Sequence, residues 1–304
     1  MKKLRDYTVI DCHNYFLPPG SFGELTAAAG EKPVRGFTGA LDDFLASMER
    51  DSVRQAFNLA FFPTGALRDA ALAALPAGLP DYHSAAAGIE RELVRRIQAV
   101  NAWVCESSPE HPEIVPFITV DPIMSETEIR AEITTGARKG AGGLNLDPGL
   151  GRYYPCDRRL WPAYRTAQEL ELPVMARSHL IPGGTQYSEP KYYTDVLASF
   201  PDLRLVLAHS GIPFWEQVRS LARSFDNVYF EVSLTLDPLM KGSLSSEEFV
   251  ALYREIGMER AVFGSGFPRH LRSPALKRVA ALDLNETAKK ALLGENAVRI
   301  FRLT

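Results

Sequence analysis

Short apolar runs alternate along this chain with longer stretches in which apolar residues recur every three or four positions. Thr8 to Tyr15, Val53 to Phe62, Ile114 to Val120, Gly143 to Pro148, Leu172 to His179, Leu203 to His209, Val228 to Ser233 and Arg260 to Gly266 each read as a buried strand. Helical spacing covers 41–48, 126–139, 158–170, a last helix through 288–301, and 86–105, where Ile89, Leu93, Ile97, Val100 and Val104 share a face. Thr64 to Pro80, rich in Ala and Leu with Gly and Pro breaks, reads as an insertion. Pro18 to Gly39 reads as a loop long enough to form a lid or rim. Eight strands separated by helices, each strand closing on polar residues, predict a single α/β domain over 1–304. The expected architecture is a (β/α)8 TIM barrel with an inserted helical segment after strand two and a site at the C-terminal strand ends.

Composition narrows the function classes. With 304 residues, 46% hydrophobic and 23% charged, the chain can bury a large core. A formal net charge of -3, with no recurring basic clusters, speaks against nucleic acid. No apolar run reaches the roughly 20 residues a membrane span needs, and no signal peptide is evident at the start. Three scattered cysteines, Cys12, Cys105 and Cys156, fit a reducing compartment, so a cytoplasmic location is expected.

The candidate chemistry lies at the strand ends. In a strand from Thr8 to Tyr15, alternation puts Asp11, His13 and Tyr15 on one face and turns Cys12 and Asn14 away. Strand four offers Asn145 and Asp147, strand five Arg177 and His179, strand six His209 and strand seven Glu231. Several of these have a structural alternative. Asp147-Pro148-Gly149 is also turn chemistry, Arg177 also serves to neutralise Asp11 or Asp147, and His13 also serves as a structural partner of Asp11. Gly140 to Gly143 ends a helix and lacks the Gly-Lys-Ser/Thr of a phosphate loop, so it reads as a C-cap. Tyr187, Tyr192 and Tyr193 read as rim packing.

The chain resembles the amidohydrolase superfamily, in the branch that includes aminocarboxymuconate-semialdehyde decarboxylase and γ-resorcylate decarboxylase. The resemblance is carried by Ile10-Asp11-Cys12-His13, Asn101-Ala102-Trp103 before His111-Pro112-Glu113, Phe117 to Pro122, Leu172-Pro173-Val174, Leu207 to Gly211, Phe263-Gly264-Ser265 and Glu295-Asn296-Ala297. It implies a divalent metal, usually zinc, held by a His-x-His pair on strand one, a His on strand five and an Asp after Gly-Ser on strand eight. The strand-six His is then the acid/base, and a homodimer is expected. Here Tyr15, Arg177 and Gly266 stand at the positions of the second His, the strand-five His and the strand-eight Asp. Too few ligands remain for a catalytic zinc, and a permanent cation has been added beside them.

The expectation is therefore an enzyme without a metal cofactor that hydrolyses or decarboxylates a small acidic or cyclic compound. His209, His13, Arg177, Asp147 and Tyr15 are its catalytic candidates, and Asn145, His179 and Glu231 its substrate-binding candidates. Two other readings stand beside it: a metal-dependent hydrolase with a shifted set drawn from Asp11, Asp147, His179 or Glu231, and a catalytically silent barrel that binds a ligand or a partner protein.

Overall fold

The computed structural model describes residues 7–18, 20–30, 37, 39–181 and 183–303. Eight parallel strands follow one another around a single sheet: β1 (Val9–Asn14), β2 (Val53–Leu59), β3 (Ile114–Ile118), β4 (Gly143–Leu146), β5 (Val174–Arg177), β6 (Leu205–Ala208), β7 (Val228–Glu231) and β8 (Ala261–Val262). Backbone bonds from Cys12 to Phe263 and from Tyr15 to Phe267, with a parallel bridge between Asn14 and Phe267, close β8 onto β1. This is the predicted TIM barrel, in which no strand edge is left open.

Helices cover the outside. Between β1 and β2 lie α1 (Ser21–Ala28) and α2 (Leu41–Arg50), and between β2 and β3 lie α3 (Thr64–Ala73) and the 25-residue α4 (Tyr82–Glu106). After β3 comes α5 (Glu126–Arg138), started by a capping box between Ser125 and Glu128 and stopped at Gly140, whose φ of 91° suits glycine. One turn, α6 (Pro148–Gly151), and α7 (Trp161–Glu169) separate β4 from β5; α8 (Thr194–Ser199) precedes β6 and α9 (Trp215–Ser224) precedes β7. The longer α10 (Ser246–Ile256) leads to β8, and α11 (Arg272–Ala281), α12 (Glu286–Lys290) and α13 (Asn296–Phe301) finish the chain. Among the described residues, no helix is long and apolar enough to cross a membrane.

Four expectations need correction. The segment expected to be a loop from Pro18 to Gly39 contains α1, whose Phe22 and Leu25 are buried; residues 19, 31–36 and 38 of that segment lie outside the described residues. The strands end earlier than their apolar runs, so His179 and His209 lie beyond the ladder, where the chain is free to turn. Finally, β1 does not alternate throughout. Asp11 pairs with Ala56 and Asn14 with Asn58, so β1 carries an extra residue there, and this bulge turns Asp11 and Asn14 to the same partner, Arg272. Of the three tyrosines expected at the rim, Tyr187 and Tyr192 pack edge-on against Tyr154, but Tyr193 is fully buried in the core.

Candidate active site

The C-terminal strand ends gather three imidazoles. The His209 ring lies 4.5 Å from that of His13 and 4.4 Å from that of His179, centroid to centroid. All three are buried, and burial, followed by the surrounding cations and imidazoles, holds each well below its ordinary value. They are neutral at physiological pH. His209 and Ser210 both adopt left-handed backbone, at φ 59° and 51°. Such strain is tolerated when the surroundings over-determine it. Here the His209 N–H donates to Glu231 Oε2 at 3.2 Å and Ser210 Oγ donates to the Glu231 carbonyl at 3.0 Å.

Glu231 organises the hydrogens. Its side chain accepts from the Ser233 N–H and, at 2.8 Å, from Ser233 Oγ, while His13 Nδ1 lies 2.7 Å from Oε2. Burial pushes the carboxyl up to about 7, against the pull of these donors. Ser233 Oγ has one hydrogen and spends it on Glu231, so at 2.7 Å from His209 Nδ1 it must accept. His209 therefore carries its proton on Nδ1 and presents a bare lone pair on Nε2. That atom is buried with no hydrogen-bond partner among the described residues. The same accounting gives His13 an Nδ1–H toward Glu231 and an Nε2 that accepts from the Tyr15 hydroxyl. Gly264 permits this approach, because a methyl group there would overlap Glu231 Oε1.

Arg177, at the end of β5, donates from Nη1 to Asp147 Oδ2 at 2.8 Å, with both side chains buried. Asp147 also accepts from the Leu150 N–H and so caps the single turn α6. Both alternatives read for these residues, neutralisation and turn formation, are thus present in the structure. Asn145 is in the vicinity, but its amide donates to the Ala60 carbonyl at 2.8 Å and ties β4 to the end of β2. Asp11 is a clearer departure. It accepts from the His13 backbone N–H at 3.3 Å but not from the His13 ring, and its carboxylate is otherwise held by Ser265 N and Oγ and by Arg272 Nε at 2.9 Å, in a fully buried pair.

A pocket of about 320 Å³ opens onto this cluster, lined by His13, Arg177, His179 and His209 and by two residues the sequence reading passed over, Arg269 and His270. The Arg269 guanidinium lies 4.2 Å above the Tyr15 ring and 5.3 Å from that of Phe61. His270 Nδ1 lies 3.4 Å from Asp237 Oδ2. Ser233 was missed too, although its place two residues after Glu231 was a usable signal. Among the described residues, His13, His209 and Glu231 form one group whose potential metal-binding atoms lie within 4.8 Å of one another.

A family model described as amidohydrolase matches residues 10–303. No curated protein matches the chain by sequence. Solved structures similar to it include an uncharacterised TIM-barrel protein from Bordetella bronchiseptica, at 18% identity and TM-score 0.73, covering 97% of this chain and 99% of that one. Another is 5-carboxyvanillate decarboxylase from Sphingomonas paucimobilis, at 16% identity and TM-score 0.72, covering 98% and 100%. A third is a dihydroxybenzoic acid decarboxylase from a Polaromonas species with bound manganese and the inhibitor 2-nitroresorcinol, at 15% identity and TM-score 0.72, covering 98% and 97%. At such identities the likeness establishes the fold alone.

Proposed function

The chain belongs to the amidohydrolase family, and on that premise we propose that it is a small-molecule enzyme working without a metal ion. His209 Nε2 is the general base, Arg177 holds an anionic group of the substrate, and the reaction is hydrolysis of a small acidic or cyclic compound. The observation that carries this reading is the bare, buried lone pair on His209 Nε2, set by the Ser233–Glu231 hydrogen bonds behind the ring. Such a base takes a proton from water as the oxygen attacks a carbonyl carbon. The resulting imidazolium is steadied through Ser233 by Glu231, and Nε2 then returns the proton to the leaving group. Arg177, already oriented by Asp147, offers its fork to a carboxylate.

The metal seen in the manganese-bound relative does not fit this donor set. Both His13 nitrogens are engaged, and Glu231 faces His13, the Ser233 hydroxyl and two backbone N–H groups. Tyr15 and Arg177 stand where the resemblance implies imidazoles, and Arg177 and Arg269 already press on the charge of His13. Taking His13, His209 and Glu231 together as three protein ligands would cost hydrogen bonds of the network that sets His209.

Decarboxylation is the second reading, favoured by the relatives described as decarboxylases and by the cationic pocket wall. It requires His209 to begin the cycle protonated, which burial opposes. Assaying a panel of small acidic amides, esters and lactones against pH separates the two. For a base, kcat/KM falls toward acidic solution as Glu231, near 7, and then His209 take up protons, and His209→Gln loses roughly 10²–10⁴-fold. Activity that declines as pH rises through 6.5 points to an acid and to carboxyl loss. Tight ligand binding without turnover of any compound leaves the silent barrel.

A further inference from the structure

We propose that His179 is the oxyanion donor of this site: its Nε2–H holds the carbonyl oxygen of the substrate while His209 Nε2 takes the proton from water. The proposal rests on the reading of His209 as the base and adds the group that meets the charge formed by the attack. Four imidazoles line the pocket, and the neighbours of three of them fix how they present themselves. His13 is engaged on both nitrogens, by Glu231 and by the Tyr15 hydroxyl. His209 holds its proton toward Ser233 and offers a lone pair. His270 turns Nδ1 toward Asp237 Oδ2 at 3.4 Å. The His179 ring makes no hydrogen bond to the described residues, and its Nδ1 is shut away from solvent.

That enclosure sets the proton. Burial keeps the ring neutral, so it carries one N–H. On Nδ1 the hydrogen would be an orphaned buried donor, which folded proteins rarely contain. On Nε2 it stands at the tip of the ring, the side left to the pocket. A neutral imidazole is a competent electrophile toward a carbonyl oxygen. The ring is also held in place. It meets the His209 ring edge-on, with 4.4 Å between centroids and 69° between planes, so both rings touch one small substrate. Behind it, Ser188 Oγ donates to the His179 carbonyl at 2.8 Å and Ser178 Oγ donates to the Ser188 carbonyl at 2.7 Å, with both serines buried. A donor fixed before the reaction needs no reorganisation as charge develops. In the step itself, the water oxygen bonds to the carbonyl carbon as one of its protons passes to His209 Nε2, and the C=O π pair moves onto the oxygen held by His179. When that pair returns, the bond to the leaving group breaks and His209 Nε2 gives the leaving group the proton. His179 keeps its own proton throughout.

Two measurements test the idea. Long-range proton–nitrogen NMR spectra of the ¹⁵N-labelled protein near pH 7.5 report which nitrogen of each ring carries hydrogen, with His179→Gln and His209→Gln assigning the signals. His179 is expected with Nε2 protonated and Nδ1 bare, and His209 with the opposite pattern. Kinetics on the panel of small acidic amides, esters and lactones should then show His179→Leu losing roughly 10²–10³-fold in kcat, with KM within about threefold of the wild type and the shape of the pH profile kept. His179→Gln, whose amide retains an N–H, should recover part of the loss. A proton on His179 Nδ1, an imidazolium at that pH, a His179→Leu variant as active as the wild type, or a loss confined to KM overturns the proposal. If His179→Leu folds poorly, the wild-type spectrum and the glutamine variant decide: a bare Nε2, or a glutamine variant as inactive as His209→Gln, contradicts it. Failure of the base reading looks different, since His209 would then show a protonated Nε2 and His209→Gln would stay active. Absence of turnover across the whole panel in the wild type removes both.

Discussion

Arg177 and Asp147 are a buried pair 2.8 Å apart, and removing one partner strands the other. Arg177→Met should therefore weaken binding of acidic ligands by roughly 2–5 kcal/mol and also lower stability by about 3–5 kcal/mol. The double variant Arg177→Met/Asp147→Asn separates these effects. Urea melts should recover most of the lost stability, while titration with benzoate should still show the lost affinity; recovery of both would leave Arg177 a purely structural cation. Asp121 gives a prediction in pH. It is buried, accepts from the Ile123 N–H at 3.0 Å, and burial pushes it up to about 6 from 3.8. A folded value above the unfolded one means the group favours the fold below about 3.8 and loses that contribution as pH rises through 6. Asp121→Asn should gain on the wild type by roughly 3 kcal/mol between pH 3.5 and 7, from a shift of about two units at 1.36 kcal/mol each. Parallel stability curves for the two proteins across that range would contradict the assignment.

At the scale of elements, much of the resemblance motif set turns out to be scaffold. Asn101 on α4 donates to the Thr119 carbonyl at 2.7 Å and accepts from the Thr119 N–H at 2.8 Å, pinning the inserted helix to the end of β3. Asn296 on α13 donates to the carbonyls of Met258 and Ala261, clamping the last helix to β8. Asn101→Ala leaves two buried backbone groups unpaired, at roughly 1–3 kcal/mol each. Denaturation should show that loss without a change in the pH dependence of activity; a neutral variant would mean that water takes over both bonds. The strands and the α4 face were legible in the sequence because burial imposes a period, and Leu93, Ile97, Val100 and Val104 keep it. Alternation failed at Asp11, because one inserted residue in β1 reverses a face and leaves no mark in the residue types. Arg269 and His270 were not legible either. They sit in a loop, where no period applies and only the closed barrel shows what they face.

For the molecule as a whole, the barrel brings Glu231 of β7, His13 of β1 and His209 after β6 into one hydrogen-bonded unit and surrounds it with guanidinium groups. Tyr15 and Arg177, at positions where the resemblance implies metal ligands, stand beside that unit. The measurement that bears most directly on this account is elemental analysis of the purified protein together with calorimetric titration of zinc and manganese. The account predicts substoichiometric metal as isolated, no saturable binding, and unchanged melting temperature and activity after treatment with chelator. Stoichiometric metal that tracks activity, raises the melting temperature and is lost in both His13→Ala and Glu231→Gln would contradict it.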